Sequence, residues 1–296
     1  MFTTLITAEQ LMALRVPDAR LMVFDCSFEL TNPAAGEEQY RNAHLPGAVY
    51  ANLDTDLSDQ GVVDPDGRHH PHADAASGGR HPLPSREKFA MWLSSVGFAN
   101  DMQAVVYDRQ NAAYCGRLWW MLKWAGHDAV AVLDGGLQAW QAAGGEVVAG
   151  EEPAHFQSNF RLGAPLRRLV RTDDVLAALQ GGRQTLVDAR AAARYRGEVE
   201  PFDPIAGHIP GALNRPSSLN IGPDGRFRPP AELRAEFEQL LQGRDPAGVV
   251  HHCGSGVSAV PNLIAMELAG LGPTGLYAGS WSEWSRDPAR PVATGG

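Results

Sequence analysis

A chain of 296 residues that is 44% hydrophobic and 20% charged carries apolar material for two cores of ordinary domain size. Its formal net charge of −9 argues against nucleic acid or an anionic membrane as the main partner, because both reward clustered Lys and Arg. No run approaches the ~20 consecutive apolar residues that a membrane-crossing helix needs.

The N-terminus, M-F-T-T-L-I-T, has no basic start followed by a long apolar stretch, so no secretory signal is read there. A helical pattern follows at Glu9–Leu14 and a buried strand at Leu21–Phe24. Ser58 to Gly79 is rich in Gly, Asp and Pro and reads as a solvated loop, a flap over a pocket. Then come a helix at Arg86–Ser95, a strand at Ala104–Tyr107, a helix at Leu118–Trp124 and a strand at Val130–Leu133. Residues 146–165 lack periodicity and read as an extended surface linker. Beyond it the pattern resumes. A helix at Thr172–Leu179 has Thr172-Asp173-Asp174 as its cap and acidic first turn. Strands at Leu186–Val187, Gly248–His251 and Gly275–Tyr277 alternate with helices at Ala231–Leu241 and Ser258–Ala269. Strands alternating with helices predict α/β domains, each around a mostly parallel sheet.

The two halves repeat. V-F-D and A-H-L-P-G-A in the first are echoed by L-V-D and G-H-I-P-G-A in the second. A single offset of 144 carries Val105 to Val249, Ala125-Gly126 to Ala269-Gly270, Gly135 to Gly279 and Trp140 to Trp284. Two copies of one domain are therefore expected, at 1–145 and 166–296, joined by the linker.

The most informative stretch is V-V-H-H-C-G-S-G-V-S-A-V-P, where an apolar strand runs into Cys253. In open α/β sheets, ligands sit beyond the carboxyl ends of the strands. Gly254 and Gly256 let the backbone turn its N–H groups toward the sulfur, and the helix that follows presents its positive end. Both effects favour a thiolate, the nucleophilic form, and would hold a persulfide anion equally well. A cysteine phosphatase would need an arginine six positions after the cysteine. That position is Ala259, and no Lys or Arg lies between 253 and 270. The first copy has Arg109 where the second has Cys253, so it reads as a structural copy that helps frame the pocket. Cys26 and Cys115 read as small buried hydrophobes. With three cysteines and no signal, a reducing, cytoplasmic compartment is expected.

The paired H-[IL]-P-G-A turns, D-G-G-x-x-x-W, A-G-S-W-S-E-W and C-G-S-G-V-S-A resemble the tandem-domain rhodanese family over nearly the whole chain. The loop type C-G-S-G-V-[ST] looks like the 3-mercaptopyruvate sulfurtransferases; thiosulfate sulfurtransferases usually carry basic residues after the cysteine, where this chain has Gly254-Ser255. The resemblance implies that Cys253 takes sulfur from 3-mercaptopyruvate as a persulfide, releases pyruvate, and passes the sulfur to cyanide or a thiol acceptor such as a thioredoxin-like protein, with no cofactor and no metal. It implies a donor pocket of Arg194, Gly254, Gly256, Val257 and Ser258, with Arg80 as the second arginine because E-V-E-P-F-D-P after Arg194 holds none. It also implies an Asp54, His81, Ser255 set beside the cysteine, a serine-protease-like arrangement in which a histidine orients a hydroxyl. His69, His70 and His72 compete with His81 for that place. Two readings stay beside this one: a thiosulfate sulfurtransferase, and a non-catalytic sulfur carrier or binding module. Arg194→Ala is expected to raise the Michaelis constant for a carboxylate donor far more than it affects stability. His44 and His208 read as structural, and Trp281 and Trp284 as core or domain-interface residues. Of His251 and His252, one is expected to face the core and the other to tune the thiol.

Overall fold

The structure, a computed structural model, describes residues 1–16, 19–64, 69–181 and 184–296. In chain order the strands are β1 (Leu5–Ile6), β2 (Leu21–Asp25), β3 (Val49–Tyr50), β4 (Val62–Val63), β5 (His69–His70), β6 (Gln103–Tyr107), β7 (Val130–Leu133), β8 (Arg168–Val170), β9 (Thr185–Asp188), β10 (Leu213–Asn214), β11 (Val249–His252) and β12 (Gly275–Tyr277). The helices are α1 (Ala8–Leu14), α2 (Ala34–Asn42), α3 (Arg86–Ser95), α4 (Cys115–Trp124), α5 (Gly136–Ala142), α6 (Thr172–Leu179), α7 (Ala192–Tyr195), α8 (Pro230–Leu241), α9 (Val260–Leu268) and α10 (Ser280–Trp284).

These elements form two compact units. The first comprises Met1–Ser58, Pro84–Leu166 and Gly222–Phe227; the second comprises Asp59–Leu83, Arg167–Ile221 and Arg228–Gly296. Each has a five-stranded sheet, ordered β1-β7-β6-β2-β3 in the first and β8-β12-β11-β9-β10 in the second. All pairings within these sheets are parallel. Strand for strand the order is the same, so the 144-residue echo is a repeat of topology. The strands β7, β11 and β12 are buried along their whole length, as continuous apolar runs in a parallel sheet require. Ile6, Val105, Leu133 and Trp140 anchor the first core. Val250, Tyr277, Trp281 and Trp284 anchor the second, both tryptophans fully buried.

The repeated H-x-P-G-A turns do the same work in each unit. His44 Nδ1 lies 2.7 Å from the Tyr40 carbonyl and its ring stacks on Tyr40 at 4.1 Å. His208 Nδ1 lies 2.8 Å from the Tyr195 carbonyl and stacks on Tyr195 at 3.8 Å. Each histidine also bridges to a later strand segment, His44 to Val148 and His208 to Ala293. These histidines fasten the fold.

Several local features differ from the sequence reading. Residues 146–165 are irregular and mostly exposed, but are no free tether: Val148, Gly150, Ser158 and Gly163 donate main-chain N–H groups to His44, Arg41, Ser94 and Ala125. The segment 59–83 packs with the second unit and is closed at its base by Asp59 N–H donating to the Pro82 carbonyl at 2.8 Å. Its described part is a hairpin (β4-β5) and hydrogen-bonded turns, not a loose flap. At α6 the cap position is Arg171, whose N–H donates to Asp174 Oδ2 at 2.9 Å, while the Thr172 hydroxyl bonds to Tyr277 Oη. The last helix before β12 starts at Val260, two residues after the predicted Ser258, with Pro261 in its first turn.

Candidate active site

The cysteine loop begins where β11 ends. Cys253 is 1% exposed. Its N–H donates to Ser280 Oγ at 3.1 Å, and its carbonyl accepts from Trp281 N–H at 3.0 Å. The Gly254 carbonyl accepts from Ser282 N–H at 2.8 Å. At Gly256 the backbone takes φ +73°, and a Cβ there would lie 2.1 Å from the Ala278 carbonyl oxygen. The loop is thus clamped on the A-G-S-W-S turn through main-chain atoms, which leaves the Cys253 side chain as its variable chemistry.

The same turn holds a second segment of the unit. Arg80 N–H donates to Ser282 Oγ at 2.9 Å. Gly79, at φ +92°, passes so close that a Cβ would sit 2.6 Å from the Gly279 carbonyl oxygen. This brings His81 Nδ1 to 2.7 Å from Ser255 Oγ, with both side chains buried. The pair is a hydroxyl and an imidazole that can exchange a proton, two residues from the thiol. Two guanidiniums converge on Gly254 of the loop. A Cβ built on Gly254 would lie 3.2 Å from Arg80 Nη2 and 3.4 Å from Arg194 Nη1. Arg194 pairs with Glu200 at 2.6 Å and Asp203 at 3.4 Å, and Arg80 pairs with Asp203 at 2.7 Å. Both guanidiniums lie over the Phe202 ring, at 5.3 and 5.2 Å.

The first unit shows what the loop does with an anion. Asp108, the counterpart of His252 at offset 144, is buried and accepts four main-chain N–H groups, from Gln110, Ala112, Tyr114 and Cys115, at 2.9–3.0 Å. Ala112 there has φ +63°, matching Gly256 at +73°. The first unit's loop thus turns four N–H groups inward on one carboxylate. In the first unit that charge is built in. Arg109, the counterpart of Cys253 at offset 144, is bound by Asp25, Ser27 and the Gln39 and Ala43 carbonyls. Arg190 does the equivalent work in the second unit, on Asp188 and the Gly207 carbonyl. An anchored arginine thus stands in the first unit where the second has Cys253.

The family model for the rhodanese-like domain matches twice, at residues 7–143 and 171–287. The chain belongs to the rhodanese family. It is 46% identical to a probable 3-mercaptopyruvate sulfurtransferase of Pseudomonas aeruginosa over 98% of both chains. It is 39% identical to a putative thiosulfate sulfurtransferase, SseB, of Mycobacterium tuberculosis over 98% of this chain and 97% of that one. The solved 3-mercaptopyruvate sulfurtransferase of Leishmania major superposes with a TM-score of 0.78 at 30% identity, covering 96% of this chain and 74% of that one.

Of the residues named from the rhodanese resemblance, the second unit gathers Cys253, Gly254, Ser255, Gly256, His81, Arg80 and Arg194 around one loop. Val257 is buried in the same loop and Ser258 is half-buried. Asp54 belongs to the first unit, half-buried in the turn after β3, where its N–H donates to Asn52 Oδ1 at 2.8 Å. The competing histidines are otherwise engaged: His70 Nε2 lies 3.0 Å from Asp64, and His72 Nδ1 bonds to Asp59. The His69 side chain lies outside what the structure describes. His251 and His252 are both fully buried. Burial pushes His251 down to about 3, and it lowers His252 as well, although Asp188 pulls the other way. His251 Nε2 sits 3.2 Å from Met266 Sδ, which makes it a core residue. Burial likewise pushes the Cys26 and Cys115 thiols well up, so both stay protonated.

Sequence reasoning passed over Ser280, Ser282, Glu200 and Asp203. The two serines sit in a motif recognised for its tryptophans, and E-V-E-P-F-D-P was read for the arginine it lacks. The carboxylates also change the expectation for Arg194. Glu200 and Asp203 are 3% and 4% exposed, so removing the guanidinium leaves buried charge short of a partner. Arg194→Ala should raise the Michaelis constant for a carboxylate donor by roughly tenfold to a hundredfold and should also lower the melting temperature, by the equivalent of about 1–3 kcal/mol. Steady-state kinetics alongside thermal unfolding checks both; an unchanged Michaelis constant removes Arg194 from the donor site.

Proposed function

We propose that this rhodanese moves the sulfur of 3-mercaptopyruvate through a Cys253 persulfide to a thiol acceptor or cyanide. The observation that carries the reading is the loop itself: a cysteine at the end of β11, two guanidiniums converging on Gly254, and a histidine on the Ser255 hydroxyl. Arg80 and Arg194 suit the carboxylate of an α-keto acid, which a guanidinium fork binds through two oxygens. The Cys253 thiolate attacks the donor sulfur. The new S–S bond forms as the C–S bond breaks, and its electron pair leaves as the enolate of pyruvate. The proton of the donor thiol ends on the enolate carbon, and Ser255 with His81 is the pair that moves it. An acceptor thiol then takes the outer sulfur and returns Cys253 to a thiolate; cyanide leaves as thiocyanate. For Asp54, as the group that fixes the His81 tautomer, the support is the family resemblance. No helix among the described residues is long and apolar enough to cross a membrane. The three free cysteines support a reducing, cytoplasmic setting.

The test is a side-by-side initial-rate assay with 3-mercaptopyruvate and thiosulfate, scoring pyruvate release and thiocyanate formation. A preference of about a hundredfold for mercaptopyruvate is expected. Ser255→Ala should lower kcat with that donor by roughly 10²–10⁴, the usual span for a lost proton-transfer group, and His81→Ala should do the same. A preference for thiosulfate that Ser255→Ala leaves untouched would make the protein a thiosulfate sulfurtransferase. Failure to take sulfur from either donor would make it a carrier or binding module.

A further inference from the structure

The two units share an anchor that measures how they differ. In each, a histidine ring nitrogen bonds the carbonyl of a tyrosine on which it stacks, but the two residues are 4 apart in the first unit and 13 apart in the second. Nine residues (13 − 4) are therefore added in the second unit, between Tyr195 and His208. The residue before the tyrosine is Gln39 in one copy and Arg194 in the other. The addition holds Glu200, Phe202 and Asp203.

Both acids point into the unit rather than to water. Glu200 accepts from Arg190 at 3.2 Å and from Arg194 at 2.6 Å, and Asp203 bridges Arg80 and Arg194. Burial holds the Asp203 carboxyl above the ordinary carboxylate range, and Arg80 opposes this. With Asp188 on Arg190, three guanidiniums are paired with three carboxylates, so this cluster brings no net charge of its own to the cavity, which Arg286 also lines. Two arginines intended only to attract anions would bind more tightly without these acids. Buried carboxylates are tolerated here because guanidiniums pair with them, and that pairing uses up positive charge a donor could otherwise meet.

We propose that Glu200 and Asp203 are specificity-determining residues, which offset the guanidinium charge so that the pocket takes a singly charged carboxylate donor and turns away dianions. The inference rests on the donor-site reading of Arg80 and Arg194 above. A monoanionic carboxylate needs two well-placed N–H forks, and the Phe202 ring holds both guanidinium planes in place. Each anionic charge enters a site whose paired charges already cancel, and the cost of losing hydration grows with the square of the charge, so a dianion is penalised more than a monoanion. Discrimination of this kind works by penalising the wrong ligand.

The test compares wild type, Asp203→Asn, Glu200→Gln and the conservative Asp203→Glu. The readout is the ratio of kcat/KM for thiosulfate to kcat/KM for 3-mercaptopyruvate. Each amide should raise that ratio at least about tenfold, the scale of one unit charge removed at close range in a partly screened site, with the change carried by KM. Asp203→Glu should keep the wild-type ratio. An unchanged or lower ratio in the amide variants overturns the proposal, even if both activities fall, because a merely structural role weakens both donors alike. Should Glu200→Gln fail to fold, Asp203→Asn decides alone. Calorimetric binding of pyruvate against oxalate, a mono- and a dianion, reads the same selectivity without sulfur transfer. If wild type prefers thiosulfate, the donor assigned above is wrong, and the shift in oxalate-to-pyruvate affinity still decides the role of the acids.

Discussion

Replacing Cys253 by serine should lower sulfur transfer at least a thousandfold while leaving the fold in place. The size of the loss follows from the chemistry: the oxygen that replaces the sulfur cannot carry a persulfide, and removing a nucleophile elsewhere costs about that much or more. The intact fold follows from the contacts. Cys253 is held through its N–H on Ser280 and its carbonyl on Trp281, both of which serine keeps. Neither other cysteine can substitute, since desolvation pushes the Cys26 and Cys115 thiols well up and holds both protonated. Turnover with cyanide as acceptor, thermal unfolding, and the intact mass after exposure to donor alone are the three measurements. Wild type should gain the mass of one sulfur atom and the variant none. Residual turnover above about a thousandth, at an unchanged melting temperature, would move the nucleophile to another residue.

What could be read in the sequence was whatever repeats or stays local. The 144-residue echo foretold two sheets of one topology, because strands such as β6 and β11 are short apolar runs with distinct ends. The reactive loop was readable for the same reason: strand, cysteine and glycines are contiguous. The contact between His81 and Ser255 joins residues 174 apart, and no periodicity encodes it. It was reached through the family resemblance, not the pattern. The strands β3 and β10, two residues each, are too short to carry a period. Glu200 and Asp203 were missed because acids in a Pro-containing loop look like solvated surface, whereas here they are buried by the arginines they serve. A signal was present in the unequal spacing of the two Tyr–His pairs. The fate of residues 59–83 was hidden for a different reason: their ends are tied by main-chain bonds that any sequence can make.

Gly256→Ala should lower both stability and activity, and the repeat separates its two causes. The positive φ by itself is tolerable, since the matching position in the first unit is Ala112 at φ +63°. Left-handed backbone costs a non-glycine residue about 1–2 kcal/mol. The Cβ is the larger problem, because at Gly256 it would stand 2.1 Å from the Ala278 carbonyl oxygen. That oxygen is main chain and cannot swing aside like a side-chain tip, so the cysteine loop must lift from the A-G-S-W-S turn. Overpacking of this kind costs roughly 1–3 kcal/mol more. The lift also moves Cys253 relative to Arg80 and His81, which are held by the same turn, and a displacement of about 1 Å in a catalytic group can cost a hundredfold in rate. The expected result is a melting temperature several degrees lower and activity reduced about a hundredfold or more in the protein that remains folded. Gly254→Ala is the control. The atoms nearest its Cβ would be the ends of the Arg80 and Arg194 side chains, at 3.2 and 3.4 Å. That variant should fold normally and show its effect in the Michaelis constant for the donor. Equal thermal stability for Gly256→Ala and wild type would mean that the loop is not clamped through Ala278 as the structure places it.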